Sequence, residues 1–383
     1  MNNYIYFFSF ILLLVSCNTE NSKNNSDYLS TDLEASEDSL ELAAAYAAQA
    51  KIELKLIAAI ETEAVAADNI DDAADDSAIW YNKSNPESSI IYGSNKKGGL
   101  VAFDLEGRQT QYYPIGKINN VDVKQDVVIG SDTLDILGCT NRSDQSVELF
   151  SILKNGEVSN LMGEKFKVDT TKIDDVYGFC LAYPVANKRL YVIINGKNGY
   201  FKQFELKSRE GSYELDLIYE MQFDSQTEGM VSHDRSNSLY VGEENLGVWC
   251  LSLNKDEYSE IQFIKESSVL TNKSIVSDVE GLSIYDKGDK TLLFLSSQGN
   301  FSYAVFDMNK SHNYLFSFKI IGSDNIDGVE ETDGIEISSH NFSPRFNSGL
   351  FVAQDGFNYT NNSLDAQNFK FLNMDDILNL YYK

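Results

Sequence analysis

Six times after Asp75 the chain returns to one pattern, an apolar run, a polar turn and a second apolar run: Ile90–Leu105, Leu134–Leu153, Leu190–Leu206, Leu239–Leu253, Leu292–Phe306 and Leu350–Leu372. Taking Ser94, Thr140, Asn195, Glu243, Ser297 and Gln354 as markers, the intervals are 46, 55, 48, 54 and 57 residues. A second series precedes each run and can be followed through Ala78, Asp122, Gly178, Gly229, Gly281 and Gly334, at intervals of 44, 56, 51, 52 and 53. Each period holds about four short strands rich in Val, Ile, Phe and Tyr and almost no helical pattern, which suits a propeller blade rather than a solenoid turn. The expected fold is all-β, a six-bladed β-propeller over residues 59–383.

The innermost strand of each blade faces the channel, so equivalent positions on those strands confront one another. On this alignment the positions carry Asp75, Asp76, Asp122, Glu228, Glu280 and Asp333. A single acid in a turn is usually just solvated; the same position repeated round a ring is harder to dismiss. Converging carboxylates need counter-charge, and an oxygen-only donor set without His or Cys selects hard cations, above all Ca²⁺. Lys96, Lys97, Arg142 and Lys197 fall in the corresponding turns of three successive blades. Cations beside bound metal suit a multiply charged anion, which Arg grips bidentately and Lys attracts as a point charge.

The chain is acidic, with 31 Lys+Arg against 58 Asp+Glu and a net charge of −27, which excludes nucleic acid as its main partner. Its three histidines, His233, His312 and His340, belong to no motif of the His-nucleophile or Cys-nucleophile phosphatase type, and Cys139, Cys180 and Cys250 have no zinc or disulfide spacing. These cysteines read as small buried apolar residues.

The N-terminus has a different character. Tyr4–Val15 is almost wholly apolar but too short to span a bilayer, and it ends in Leu14-Val15-Ser16-Cys17. This resembles a bacterial lipobox, although no Lys or Arg precedes the apolar run. The expectation is a signal peptide over 1–16, export across the inner membrane, and lipid anchoring through Cys17 in the bacterial envelope; the alternative is an ordinary cleaved signal. Residues 17–58 then read as a polar tether followed by a short helical segment from Asp32 to about Ala58.

Several blocks together resemble the β-propeller phytases of Bacillus type, from about Ile60 to the C-terminus. They include Ala73-Ala74-Asp75-Asp76-Ser77-Ala78-Ile79-Trp80, Asn95-Lys96-Lys97, Asn119-Asn120-Val121-Asp122, Asn141-Arg142-Ser143, Val176-Tyr177-Gly178-Phe179, Gln226-Thr227-Glu228-Gly229-Met230, Asp278-Val279-Glu280-Gly281-Leu282 and Phe351-Val352-Ala353-Gln354-Asp355-Gly356. The resemblance implies an enzyme that binds several Ca²⁺ ions and hydrolyses phytate, or calcium-phytate, to lower inositol phosphates; a monomer is expected. It assigns Glu61, Asp75, Glu228, Glu244, Asp278, Glu280 and Asp333 to the catalytic calcium cluster, and Asp76, Gln298, Asp327 and Asp355 to supporting sites. Lys96, Arg142, Tyr177 and Lys197 hold the phosphate to be cleaved, and Lys97 with Lys197 a neighbouring one. Two positions depart from the family: Asn198 stands where a Glu is usual beside the phosphate-binding Lys, and Ser77 replaces a usual Pro. A calcium-dependent propeller lactonase or esterase, and a non-catalytic calcium-binding surface propeller, are the alternative functions on the same fold.

Overall fold

The computed structural model describes residues 39–68, 72–253, 261–361 and 363–381. The signal sequence, Cys17 and the polar tether lie outside the described residues. Among these residues, no helix is long and apolar enough to cross a membrane.

Among the described residues six sheets of four or five strands, antiparallel but for one edge strand, follow one another along the chain, with a two-stranded ribbon of Tyr359–Thr360 and Ser363–Leu364 beside them. Their innermost strands are Ala74–Trp80, Ile118–Ile129, Val176–Ala182, Thr227–His233, Val279–Lys287 and Ile335–Ser338, which define blades I to VI. Each innermost strand packs beside the next, and that of blade VI returns to that of blade I, so the ring closes into a six-bladed propeller. Apolar side chains fill six seams between neighbouring blades. At the seam of blades VI and I, for example, Leu350, Val352, Phe369 and Phe371 meet Ile79, Ile91, Val101 and Phe103. Because blade sheets are buried on both faces, their strands read as near-continuous apolar runs, as the sequence does. Cys139 and Cys180 lie buried in such seams as free thiols, while Cys250 is half-buried.

The N-terminal segment completes the ring. Ile60–Glu61 forms the outermost strand of blade VI, with Ile60 opposite Phe371 and Glu61 opposite Lys370. Leu54–Leu56 runs parallel to Asn313–Ile320 as a fifth strand of blade V. Helix is confined, among the described residues, to 39–49 and Met374–Leu380 apart from short 3-10 turns. The helix expected up to about Ala58 therefore ends nine residues early. Leu54–Leu56 has helix-forming side chains, but an open sheet edge claims its backbone, a case of tertiary context overriding propensity.

One local device positions the site. In blades I to V the ladder between the innermost strand and its neighbour slips at the same place, between Ala74 and Ser77, Ile118 and Val121, Val176 and Phe179, Thr227 and Met230, and Val279 and Leu282. Such bulges re-aim side chains, here at the channel mouth. The released pairs are Asp75-Asp76, Asn119-Asn120, Tyr177-Gly178, Glu228-Gly229 and Glu280-Gly281, with Asp333-Gly334 at the matching point of blade VI. The glycines are there for close approach: a Cβ on Gly229 would lie 2.0 Å from the carbonyl oxygen of Glu280, and one on Gly178 2.2 Å from that of Glu228. Any side chain would push the next blade's acid away.

Candidate active site

The bulge sets the true ring as Asp75, Asn119, Tyr177, Glu228, Glu280 and Asp333. This corrects the sequence alignment in blades I and II, where the spacing slipped by two residues. Asp122 lies past the bulge, lining the channel beside Lys124 and Glu336, and its carboxylate accepts from the Leu181 and Val123 amides. Asp76 occupies the glycine position of its blade and accepts from Val121 N at 3.1 Å.

The turn after the second strand of each blade supplies the next layer. A recurring backbone hydrogen bond fixes its register: Lys96 N to Ala73 O, Arg142 N to Lys117 O, Glu244 N to Gln226 O and Gln298 N to Asp278 O. Blades I to III thus present Lys96, Arg142 and Lys197, whereas blades IV and V present Glu244 and Gln298 at the equivalent place. One side of the mouth is cationic and the other anionic or neutral.

Between Lys96 and the acids of blades IV to VI lies a cavity of about 410 Å³ lined by Lys96, Tyr177, Glu244, Asp278, Glu280 and Asp333 among others. Glu228, Glu244 and Glu280 each place an oxygen within 4.8 Å of the other two. All three are buried, as is Asp75. Burial, then the charge of Asp75, pushes Glu228 up to about 7. Burial and Glu228 likewise push Glu244 up to about 8, and Glu280 and Asp333 are raised well above the usual carboxylate range. Burial, then the charges of Glu228, Glu280 and Asp75, raises the Tyr177 phenol, which stays protonated and hydrogen-bonds Glu228. Asp75 Oδ2 and Glu244 Oε1 are buried with no hydrogen-bond donor. Orphaned oxygens in an oxygen-only nest are what a hard cation fits.

The cations are held by acids of the same mouth. Lys96 Nζ lies 2.6 Å from Asp72, 3.0 Å from Asp75 and 3.4 Å from Asp333. Burial opposes its charge, but these three carboxylates outweigh it and raise its pKa. Gln298 donates to Asp333 from the other side. Arg142 contacts Asp175 and, through Nη1, Asn119 Oδ1 at 3.3 Å; Asn119 Nδ2 in turn donates to Glu228 at 2.8 Å. Asn119 therefore joins the cationic side to the carboxylate nest. Arg142 and Lys197 both sit over the Tyr177 ring, at 5.6 and 4.7 Å from its centroid. Lys97 lies in the same turn as Lys96, its amide bonded to Asn95. Asn198 ties its own turn to the loop before blade III, donating to Lys172 O and accepting from Tyr200 N.

A second cluster at the outer part of blade VI gathers Glu61 with Asp327 and Asp355, which corrects the expected place of Glu61 in the catalytic cluster: pairing of Ile60–Glu61 with Phe371 and Lys370 holds it at the blade's outer edge. Here a lysine enters that the sequence reading did not include: Lys370 Nζ is fully buried, 2.8 Å from Glu61, 3.1 Å from Asp355, and paired with Asp327. Three carboxylates face one ammonium, so the cluster keeps an excess of negative charge. Burial pushes Asp355 up to about 7 in spite of Lys370.

The raised acids carry a testable sign. Glu228, Glu244 and Asp355 bind more protons in the folded than in the unfolded chain between their unfolded values, near 4, and their folded values of about 7 to 8. Folding stability of metal-free protein should therefore fall as pH rises through that window, since the slope follows protons bound in the unfolded minus the native state. Urea midpoints in EDTA at pH 5.5 and 8 check this; a higher midpoint at pH 8 would contradict it.

Fold and site together describe a six-bladed propeller whose mouth pairs a metal-competent acid nest with three cations. A family model described as phytase matches residues 28–382. The chain is also 35% identical over 328 residues, 84% of each chain, to a protein named 3-phytase from Bacillus subtilis (strain 168). Among solved structures, BBS1N in complex with ARL6DN aligns over 77% of each chain at 11% identity and a TM-score of 0.44, too distant to bear on function. The chain belongs to the phytase family and is a phytase-type hydrolase.

Proposed function

We propose that the protein is a calcium-dependent phosphomonoester hydrolase that cleaves phytate, myo-inositol hexakisphosphate, to lower inositol phosphates and phosphate. The observation that carries this reading is that Lys96, Arg142 and Lys197, in equivalent turns of three successive blades, all reach the acid nest: Lys96 at Asp75 and Asp333, Arg142 through Asn119 to Glu228, and Lys197 over the Tyr177 ring. A purely structural calcium nest, or a lactonase centre, needs no such cationic arc.

In this reading Asp75, Glu228, Glu244, Asp278, Glu280 and Asp333 hold catalytic calcium. Asp76 and Gln298 support it, and Glu61, Asp327 and Asp355 form a separate supporting site beside Lys370. When bound, Ca²⁺ neutralises phosphate charge and makes a water nucleophilic near neutral pH. The chain's own groups do the rest. Lys96, Arg142 and Lys197 fix the phosphoryl oxygens and stabilise charge on them as the ester oxygen departs, and Tyr177 donates its phenolic proton as a hydrogen bond. Lys97 with Lys197 receives a neighbouring phosphate, whose binding energy orients the reacting one. Asn198 contributes no charge where the family usually has Glu. The expected setting is export behind the 1–16 signal and anchoring through Cys17 in the bacterial envelope, which the Leu14–Cys17 sequence supports.

The test is substrate preference in calcium at pH 7.5. The kcat/KM for phytate should exceed that for p-nitrophenyl phosphate by roughly 10-fold or more, because a simple monoester forfeits the remote phosphates. Faster turnover of the monoester, or ring-opening of a lactone without phosphate release from phytate, would contradict the proposal.

A further inference from the structure

We infer that Asp175 is a positioning residue for the reaction, acting through Arg142; the inference rests on the clamp reading above. A free arginine in a surface turn samples many rotamers, yet Arg142 is tied along one edge of its guanidinium. Nε and Nη2 both donate to Asp175 Oδ2, at 3.0 and 2.6 Å. Asp175 is itself fixed: its Oδ1 accepts from Gln145 Nε2 at 2.7 Å, and Gln145 Oε1 accepts from Val176 N at 2.7 Å. Gln145 Nε2 also donates to the Arg142 carbonyl, and Gln145 holds the left-handed backbone conformation that this tight turn requires.

The result is a frame spanning two blades. Blade II supplies Arg142 and Gln145, and blade III supplies Asp175, two residues before Tyr177. With the Nε edge occupied, the remaining Nη1 edge is turned to Asn119 and the ring of bulge residues. Holding a planar donor in one orientation before substrate arrives is worth most in the transition state, where donor geometry decides the gain. Asp175 pays for this by offsetting part of the positive charge of Arg142, so its role shows in turnover rather than in affinity.

Asp175→Asn is nearly isosteric, but its amide has one acceptor oxygen where two donors, Gln145 Nε2 and the Arg142 edge, now each have one. One of them loses its partner and the guanidinium is released. The expected outcome is a roughly 10-fold fall in kcat on phytate, the scale of losing an orienting partner, with KM changed by less than about threefold. Bound calcium per chain and the thermal midpoint in calcium should stay at wild-type values. The decisive comparison is a double-mutant cycle: if Asp175 works only through Arg142, Asp175→Asn should cost nothing further in an Arg142→Ala background. A full additional 10-fold loss in that background, or wild-type kcat in Asp175→Asn while Arg142→Ala is impaired, overturns the role of Asp175 and leaves the clamp reading standing. Wild-type turnover in Arg142→Ala overturns the clamp reading and this inference with it.

Discussion

Replacing Glu228 with Gln is expected to lower phytate turnover by more than roughly 100-fold and to weaken calcium binding. Glu228 stands at the centre of the site: its oxygen lies within reach of those of Glu244 and Glu280, Asn119 donates to it, and Tyr177 hydrogen-bonds it. An amide keeps the shape and removes the charge from a nest whose affinity for a cation is ionic. The same substitution should act oppositely on the metal-free fold. At pH 8 the wild-type carboxylate is ionised, buried and beside Asp75, a state its upward shift to about 7 marks as unfavourable. Gln relieves that repulsion, so in EDTA at pH 8 the variant should melt above wild type, and in excess calcium it should lose that advantage. Calcium titration by calorimetry and paired melting curves check both signs. Wild-type calcium affinity in the variant would remove Glu228 from the metal centre.

Arg142→Ala should show the complementary pattern, with calcium affinity retained and turnover on phytate reduced by roughly 100-fold, the scale of losing a preorganised transition-state donor. Its ion pair with Asp175 is partly solvated, at 29% and 24% side-chain exposure. Such pairs contribute only about 1 kcal/mol, so the fold should survive the change. Calcium titration alone thus separates the two variants before any kinetics. If Arg142→Ala hydrolysed phytate at the wild-type rate, the basic turns would revert to ordinary solvated loops.

The architecture was legible because a propeller writes its repeat into the chain twice, once as apolar strand pairs and once as the acid-glycine steps of its inner strands. Glu228-Gly229, Glu280-Gly281 and Asp333-Gly334 announce both the ring and the close approach of adjacent blades. Blades I and II carry Asp76 and Asn120 where those glycines stand, so spacing alone could not find the bulge, and Asp122 took the ring position that Asn119, three residues earlier, holds. The partners of the cations were hidden for another reason. Lys96 meets Asp333 and Lys370 meets Glu61 across 237 and 309 residues of chain, contacts that only closure of the ring creates. Lys370 in particular reads as an oddity inside Phe369-Lys370-Phe371-Leu372, and its burial makes sense only once blade VI receives its outer strand from the N-terminus. Asn119 and Asp175 lay inside or beside recognisable blocks, but nothing in a linear pattern says that they hold Glu228 and Arg142.

The most direct measurement on the central claim is phosphate release from phytate by one preparation dialysed against EDTA, then returned to calcium. The account predicts loss of activity in chelator, recovery on adding Ca²⁺, and a pH optimum near neutral or mildly alkaline, because protons compete with the cation for Glu228 and Glu244, whose values lie at about 7 and 8. Undiminished phosphate release after exhaustive chelation, or an optimum near pH 3, would contradict it.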